Sequence, residues 1–139
     1  MGGTGILPRA SDDTVRGGVV AGPEPIFTVT DRWGEQIILT QEDWDRIVAK
    51  RPGVENYVDQ IRQTLESPTL DEPGIVYEGG YIDTKVFYKE GLLDEDPLYK
   101  ACYVCVVVRY TPGKPASLRT VYFPYNLQGR VGKLLYCVR

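Results

Sequence analysis

The chain of 139 residues contains no histidine, and this absence excludes several kinds of site. A His-ligated zinc centre, a Ser-His-Asp triad and a Cys-His pair all need a residue that the chain does not have. The sequence also lacks an apolar run of about 18 residues, so it predicts no membrane-spanning helix and no membrane partner. The protein is therefore either an enzyme that works without histidine or a binding protein without catalytic activity.

Cysteine is scarce as well, with three residues in the chain. Cys102 and Cys105 have the spacing of a redox or zinc pair, but residues three apart on a strand point to opposite faces. We therefore interpret them, together with Cys137, as reduced cysteines of the core, and we expect no metal and no cofactor. Reduced cysteines favour an intracellular, cytoplasmic protein, or one carried within a phage or another particle.

Acidic residues are missing from the last third of the chain. Residues 97–139 contain seven Lys and Arg and no Asp or Glu, although the net charge of the chain is −3. A long segment of one sign indicates an anionic partner, most often a nucleic acid, and here RNA is the candidate. The alternative is that the Lys and Arg side chains on successive strands point in different directions and pair with acidic residues from the rest of the chain.

Tyrosine is abundant in the same segment, which holds six of the ten tyrosines. Tyrosine combined with Arg and Lys is typical of proteins that stack on bases and hold phosphates. Tyrosine is also a common strand residue, so a purely structural interpretation stays open.

Residues 1–25 contain six glycines and three prolines and show no helical or strand periodicity. They predict an extended arm that cannot order itself, because ordering costs about 1–2 kcal/mol of backbone entropy per residue. We expect the apolar residues of the arm to bind a neighbouring chain, which makes the protein part of an oligomer or larger assembly. These partner-binding residues are Ile6, Leu7, Val19 and Val20.

Residues 26–139 predict a single α+β domain. Two short strands flank a loop at residues 31–34, and Thr40 is the predicted N-cap of a first helix. A second helix ends at Ser67-Pro68. Five further strands are expected at residues 75–78, 84–89, 101–110, 117–123 and 133–138. We predict that the two helices pack on one face of an antiparallel β-sheet meander, with the strand at 101–110 in its centre.

Several pieces of the domain follow one another in a recognisable order. Residues 40–47 (TQEDWDRI) open a helix, residues 51–55 (RPGVE) form a break, and residues 61–68 (IRQTLESP) end a helix in Leu-x-x-Pro. An aromatic, basic strand (86–89), a hydrophobic strand (104–109) and a β-forming strand (120–122) follow. From residue 38 to residue 136 the chain resembles phage-associated members of the barnase–EndoU–colicin–RelE-like nuclease superfamily.

The resemblance implies metal-independent cleavage of RNA, with one departure: this chain has Arg51 where members carry histidine. A resemblance to RelE-like members implies an alternative to histidine. In that alternative, Lys, Arg and Tyr share the roles of general base, general acid and phosphate-binding cation. On that pattern we predict Lys89, Arg119 and Tyr122 as catalytic residues, and Arg51 and Arg109 as substrate-binding residues. Lysine and tyrosine titrate near 10, so either needs a much lowered pKa to act as a base.

The sequence thus leaves two functions open. The first is a metal-independent endoribonuclease-like toxin or effector that acts on RNA through Lys, Arg and Tyr. The second is a non-catalytic interaction or structural protein, for example a phage or particle component, that keeps a nuclease-like scaffold and docks on a partner through residues 1–25. If the Lys and Arg side chains converge in one concavity, RNA binding is favoured. If they are dispersed over the surface, the second function is favoured.

Overall fold

The structure, a computed structural model, describes residues 24–81, 83–93, 102–127 and 132–139. Its elements in chain order are β1 (Phe27–Thr30), β2 (Gln36–Leu39), α1 (Gln41–Lys50), a 3-10 turn (Val54–Tyr57), α2 (Val58–Glu66), β3 (Gly74–Glu78), β4 (Thr84–Glu90), β5 (Tyr103–Arg109), β6 (Ala116–Tyr122) and β7 (Leu134–Val138). This confirms the predicted α+β class and the order of elements. The predicted arm and its anchors Ile6, Leu7, Val19 and Val20 lie outside the described residues.

The β1–β2 hairpin is closed by the side chain of Asp31, the first residue of its loop. One carboxylate oxygen accepts hydrogen bonds from the backbone N–H groups of Trp33 and Glu35, at 2.9 and 2.8 Å. Gly34 has a φ of 87°, which glycine adopts without strain. The loop therefore falls at residues 31–34, as the sequence predicts.

The first helix begins at the predicted N-cap, where the hydroxyl of Thr40 accepts a hydrogen bond from the N–H of Asp43 at 3.1 Å. Trp44 and Ile47 lie one turn apart on its buried face. Gly53, with a φ of 100°, then turns the chain into the 3-10 turn that leads to α2. In the described part of the chain, no helix is long and apolar enough to cross a membrane.

Seven strands form one sheet in the order β1-β2-β6-β5-β4-β3-β7. Strands β3 to β6 form an antiparallel meander, and β5 occupies the middle of the order, as predicted for residues 101–110. The prediction of a purely antiparallel meander is wrong in two places. Strand β2 runs parallel to β6, and β7 pairs with β3 at the far edge instead of following β6.

The position of β7 is consistent with the occupation of the outer edge of β6. Strand β2 pairs with that edge at Ala116 and Ser117, and the side chain of Arg46 from α1 bonds to the carbonyl groups that follow. The edge is therefore already occupied, and the last strand adds to the free edge of β3.

Two groups of buried side chains cover the two faces of the sheet. The helices contribute to the larger group, in which Trp44 and Ile61 pack with Val104 and Val106 of β5. This confirms that the helices lie on one face. The smaller group contains Ile75, Val86, Tyr88 and Cys105, with Tyr77, Tyr103 and Tyr122 partly buried around it.

The cysteines follow this division into two faces. Cys102 belongs to the larger group and Cys105 to the smaller, both are buried, and neither forms a disulfide. This agrees with the expectation that residues three apart point to opposite faces. Cys137 differs from the prediction because it is exposed, on the edge strand β7.

Candidate functional site

A groove lined by five basic residues lies between the end of α1 and strand β6. Its volume is about 640 Å³. The basic residues are Arg46, Lys50, Arg51, Arg109 and Arg119, and Ser117, Leu118 and Thr120 complete the lining. We call this feature the basic groove. No Asp or Glu belongs to its lining.

Helix α1 and its C-cap supply three of the five basic residues, because these three are spaced along the chain so that they lie near one another. Arg46 and Lys50 are four residues apart and lie on the same side of the helix. Arg51 follows as the C-cap, and its backbone N–H bonds to the carbonyl of Ile47 at 3.0 Å. Cations at a helix C-terminus also interact favourably with the helix dipole, so this end of α1 accommodates a basic cluster at little cost.

Arg46 joins the groove to the sheet. Its guanidinium donates to the carbonyl oxygens of Arg119 and Leu118 at 2.9 and 3.1 Å. These carbonyls lie beyond the two-residue pairing with β2, so the side chain replaces a strand there. The same guanidinium lies 3.5 Å from a carboxylate oxygen of Asp43. Arg46 therefore positions the wall of the groove, and part of its charge is neutralised.

A β-bulge in β6 brings Arg119 to the groove. In the β5–β6 register, Val108 faces Leu118 whereas Val107 faces Thr120, so Arg119 is the extra residue. A bulge twists its strand and redirects the side chain of the inserted residue. Arg109, the last residue of β5, lies nearby because it pairs with Ser117.

The charges of four of the five basic residues are not paired with any acidic side chain that the structure describes. Among the residues that the structure describes, no Asp or Glu forms an ion pair with Lys50, Arg51, Arg109 or Arg119. Like charges held close together create a positive potential that attracts anions. Guanidinium groups bind phosphate oxygens through charge-assisted hydrogen bonds, often two at a time. The groove is therefore suited to a phosphate-bearing ligand.

Tyr122 lies in a second hollow, of about 350 Å³, which adjoins the basic groove because Lys50 and Arg51 line both. The guanidinium carbon of Arg51 is 5.7 Å from the centre of the Tyr122 ring. Burial raises the pKa of the Tyr122 phenol, and a hydrogen bond with Cys105 adds to the rise, whereas the Arg51 charge opposes it. The phenol therefore stays protonated at neutral pH, which is the opposite of what a base requires.

Lys89 lies outside the basic groove. It pairs with Val104, five residues along β5 from Arg109, which corresponds to about 17 Å. Its ammonium group donates to the carbonyl oxygen of Pro73 at 2.6 Å. Of the predicted site residues, Arg51, Arg109 and Arg119 thus share one groove, Tyr122 is adjacent, and Lys89 is remote.

The sequence interpretation missed Arg46 and Lys50. A signal was present, because Arg46, Lys50 and Arg51 follow one another at i, i+4 and i+5 in a predicted helix. The missing information was the strand edge that this helix side faces, which depends on the parallel pairing of β2 with β6.

The described residues contain no group of three or more Cys, Asp or Glu side chains placed to hold a metal ion. No family model, no curated protein and no solved structure matches the chain. The basic groove and Tyr122 are therefore the features of the molecule from which a function can be inferred.

Proposed function

We propose that this domain binds RNA in the basic groove and cleaves it as a metal-independent endoribonuclease, in the manner of a toxin or effector. The observation that supports this proposal is the convergence of Arg51, Arg109 and Arg119 with Lys50 in one groove. Phosphate contacts of this kind provide most of the affinity for a nucleic acid. The resemblance to the nuclease superfamily is in keeping with this reaction, provided that Lys, Arg and Tyr take the roles that histidine has in other members.

The proposed reaction uses the 2′-hydroxyl of RNA as the nucleophile. Solvent hydroxide takes the 2′-hydroxyl proton, the 2′-oxygen attacks the neighbouring phosphorus, and the bond from phosphorus to the 5′-oxygen breaks. The products are a 2′,3′-cyclic phosphate and a free 5′-hydroxyl end. No electron is gained or lost, and DNA is not a substrate because it has no 2′-hydroxyl.

The arginines and Tyr122 have separate roles in this proposal. Arg51, Arg109 and Arg119 bind the non-bridging phosphate oxygens, on which negative charge increases in the transition state. The Tyr122 phenol donates a proton to the departing 5′-oxygen and regains one from water. Its raised pKa keeps the phenol protonated, and the departing alkoxide is a stronger base than a phenolate, so it can still take the proton. Lys89, remote from the groove, has no role in the reaction.

The test compares cleavage of a fluorescent single-stranded RNA by four purified proteins. Removing one preorganised donor to the transition state typically costs about 100-fold or more in rate, which is the loss expected for Arg119→Ala. Tyr122→Phe should cleave at least about 100-fold more slowly and bind RNA as tightly, because the ring below Arg51 remains. Lys114→Ala, which changes an exposed base of the β5–β6 turn outside the groove, should match the wild type.

Two results would contradict the proposal. Equal cleavage by the wild type and Arg119→Ala would remove the groove from the reaction. Cleavage that persists when the target nucleotide carries 2′-deoxyribose would exclude the 2′-hydroxyl as the nucleophile. Melting temperatures near the wild-type value for all variants show that losses of rate are not losses of fold.

A non-catalytic interaction or structural protein, which docks on a partner, is the second candidate. It is favoured by the protonation of the site: the lining of the groove contains no residue type that titrates near pH 7, and the Tyr122 pKa is raised. This function predicts that the intact protein yields no RNA cleavage products. It also retains the proposed docking of residues 1–25 on a neighbouring chain, so deleting residues 2–22 should weaken assembly and leave the domain folded.

A further inference from the structure

Tyr81 is the most exposed large hydrophobic side chain in the described part of the chain, with 74% of its surface accessible. It lies in the turn between β3 and β4, at the end of the sheet where Thr84 pairs with Arg109. The guanidinium carbon of Arg119 lies 5.8 Å from the centre of the Tyr81 ring. An exposed aromatic ring thus borders the basic groove.

The turn that carries Tyr81 is held at several points. The buried hydroxyl of Thr84 donates to the carbonyl oxygen of Tyr81 at 2.6 Å, and the N–H of Gly79 bonds to the carbonyl of Thr84 at 2.9 Å. A side chain at Gly79 would overlap that of Thr84, so the turn is as tight as glycine permits. On the β4 side, Asp83 accepts a hydrogen bond from the N–H of Tyr110 at 2.7 Å.

These contacts fix the backbone of Tyr81 and leave its ring exposed. A tyrosine ring presents a large rigid surface and loses little conformational entropy when a ligand covers it. A fixed backbone reduces that entropy loss further, which is the preorganisation that binding sites use.

We propose that Tyr81 is a stacking site for a nucleobase of single-stranded RNA whose phosphates bind in the basic groove. This inference rests on the proposed function and names the form of RNA that the site accepts. A phosphate bound by Arg119 places the attached nucleotide beside the Tyr81 ring, since the guanidinium and the ring are in contact range. Bases stack on such rings whatever their sequence.

Single-stranded RNA is the ligand because only its bases are free to stack. In a duplex, the bases are paired and stacked on one another, and an aromatic side chain beside the backbone has no base face to cover. The charge of the neighbouring groove fits the phosphates of the same strand. We therefore expect Tyr81 to distinguish single-stranded from double-stranded RNA.

The test measures the affinity of the full chain for two oligomers by fluorescence anisotropy. One is a single-stranded RNA, and the other has the same backbone with abasic residues. Tyr81→Ala should weaken binding of the first oligomer roughly 10-fold and leave binding of the second unchanged. Tyr81→Phe should bind both as the wild type does. Tyr125→Ala is the matched control, because Tyr125 is 70% exposed and belongs to neither hollow.

The outcomes separate this inference from the proposed function. If Tyr81→Ala binds both oligomers as the wild type does, the stacking site is overturned while RNA binding stands. If it weakens both oligomers equally, the ring only positions Arg119 and the stacking site is again overturned. If the wild type binds neither oligomer, the proposed function fails, and the inference fails with it.

Discussion

Lysine and arginine supply every positive charge in the basic groove, and its lining contains no histidine, the residue type whose ordinary pKa lies near neutral pH. A histidine in the position of Arg51 would lose its charge above about pH 6.5. Arginine keeps its charge and offers a planar set of donors that fits two phosphate oxygens. The residues of this groove therefore favour holding phosphate, and proton removal is left to solvent.

This protonation pattern predicts the pH dependence of RNA cleavage. The rate should rise about tenfold per pH unit from pH 6 to pH 9, because hydroxide is the base in the proposed reaction. Burial raises the Tyr122 pKa above its usual value near 10, so the donor is not lost within this range. Initial rates measured at constant ionic strength test the prediction. A bell-shaped profile centred near pH 7 would contradict it.

At the scale of one element, strand β6 determines how the site is assembled. Its outer edge pairs with β2 over two residues and then with the guanidinium of Arg46. Just past this change of partner, the bulge inserts Arg119. A single helix side chain thus holds the strand segment that presents the arginine, and this segment is the wall of the groove.

Removing this side chain should cost stability. Arg46→Ala leaves the carbonyls of Leu118 and Arg119 to solvent, and we expect the free energy of unfolding to fall by about 1–2 kcal/mol. Lys50→Ala removes a base one turn further along α1 that makes no such bonds in the described structure, and it should change stability by less than about 0.5 kcal/mol. Urea unfolding of the two variants tests this difference. Equal stabilities would mean that Arg46 does not support β6.

At the scale of the whole molecule, local patterns predict the elements and leave open how they meet. Asp31 and Gly34 mark the hairpin loop, Thr40 marks the helix start, and the β-branched run at 101–110 marks the central strand. Each of these signals acts over a few residues, so the sequence contains it directly. The α+β class follows from their order.

The pairings that build the site lie outside the reach of local patterns. Nothing in the sequence of β2 specifies that it pairs in parallel with β6, and the bulge at Arg119 appears only in the β5–β6 register. Arg51 and Arg119 are 68 positions apart in the chain. Their convergence depends on those pairings, which is why the sequence-based site includes the three arginines on the pattern of the resemblance but omits Arg46 and Tyr81 and includes the remote Lys89.

A buried phenol and a buried thiol predict how the stability of the whole fold changes at alkaline pH. Burial is the main cause that raises the pKa of Tyr110, with its hydrogen bond to Asp31 next, and burial also raises the pKa of Cys105 to about 12. The folded state binds these protons more tightly than the unfolded state. Their stabilisation is therefore complete below the unfolded pKa, near 8.5 for cysteine and 10 for tyrosine, and is lost as the pH rises above it.

In the Tyr110→Phe variant, the free energy of unfolding should fall less steeply with rising pH. The wild type should become less stable between pH 10.5 and 12, with the Tyr110 phenol contributing up to about 1.4 kcal/mol per pH unit. Lys85 has a lowered pKa, because burial outweighs the charges of Asp31 and Glu35. Lys85 therefore makes the folded state more stable as the pH rises, and this contribution ends near pH 10.4, the ordinary pKa of lysine. Urea unfolding at several pH values measures the slope. An identical slope in the variant would contradict the assignment to Tyr110.

The most direct test of RNA binding in the basic groove is the salt dependence of affinity. For single-stranded RNA, each phosphate contact contributes about 0.7 to the slope of log affinity against log salt. Replacing Arg51, Arg109 and Arg119 together by alanine should lower that slope by about 2, whereas Lys114→Ala should lower it little. Wild-type binding that is absent, or whose slope is the same in the triple variant, would contradict the groove as the RNA-binding site.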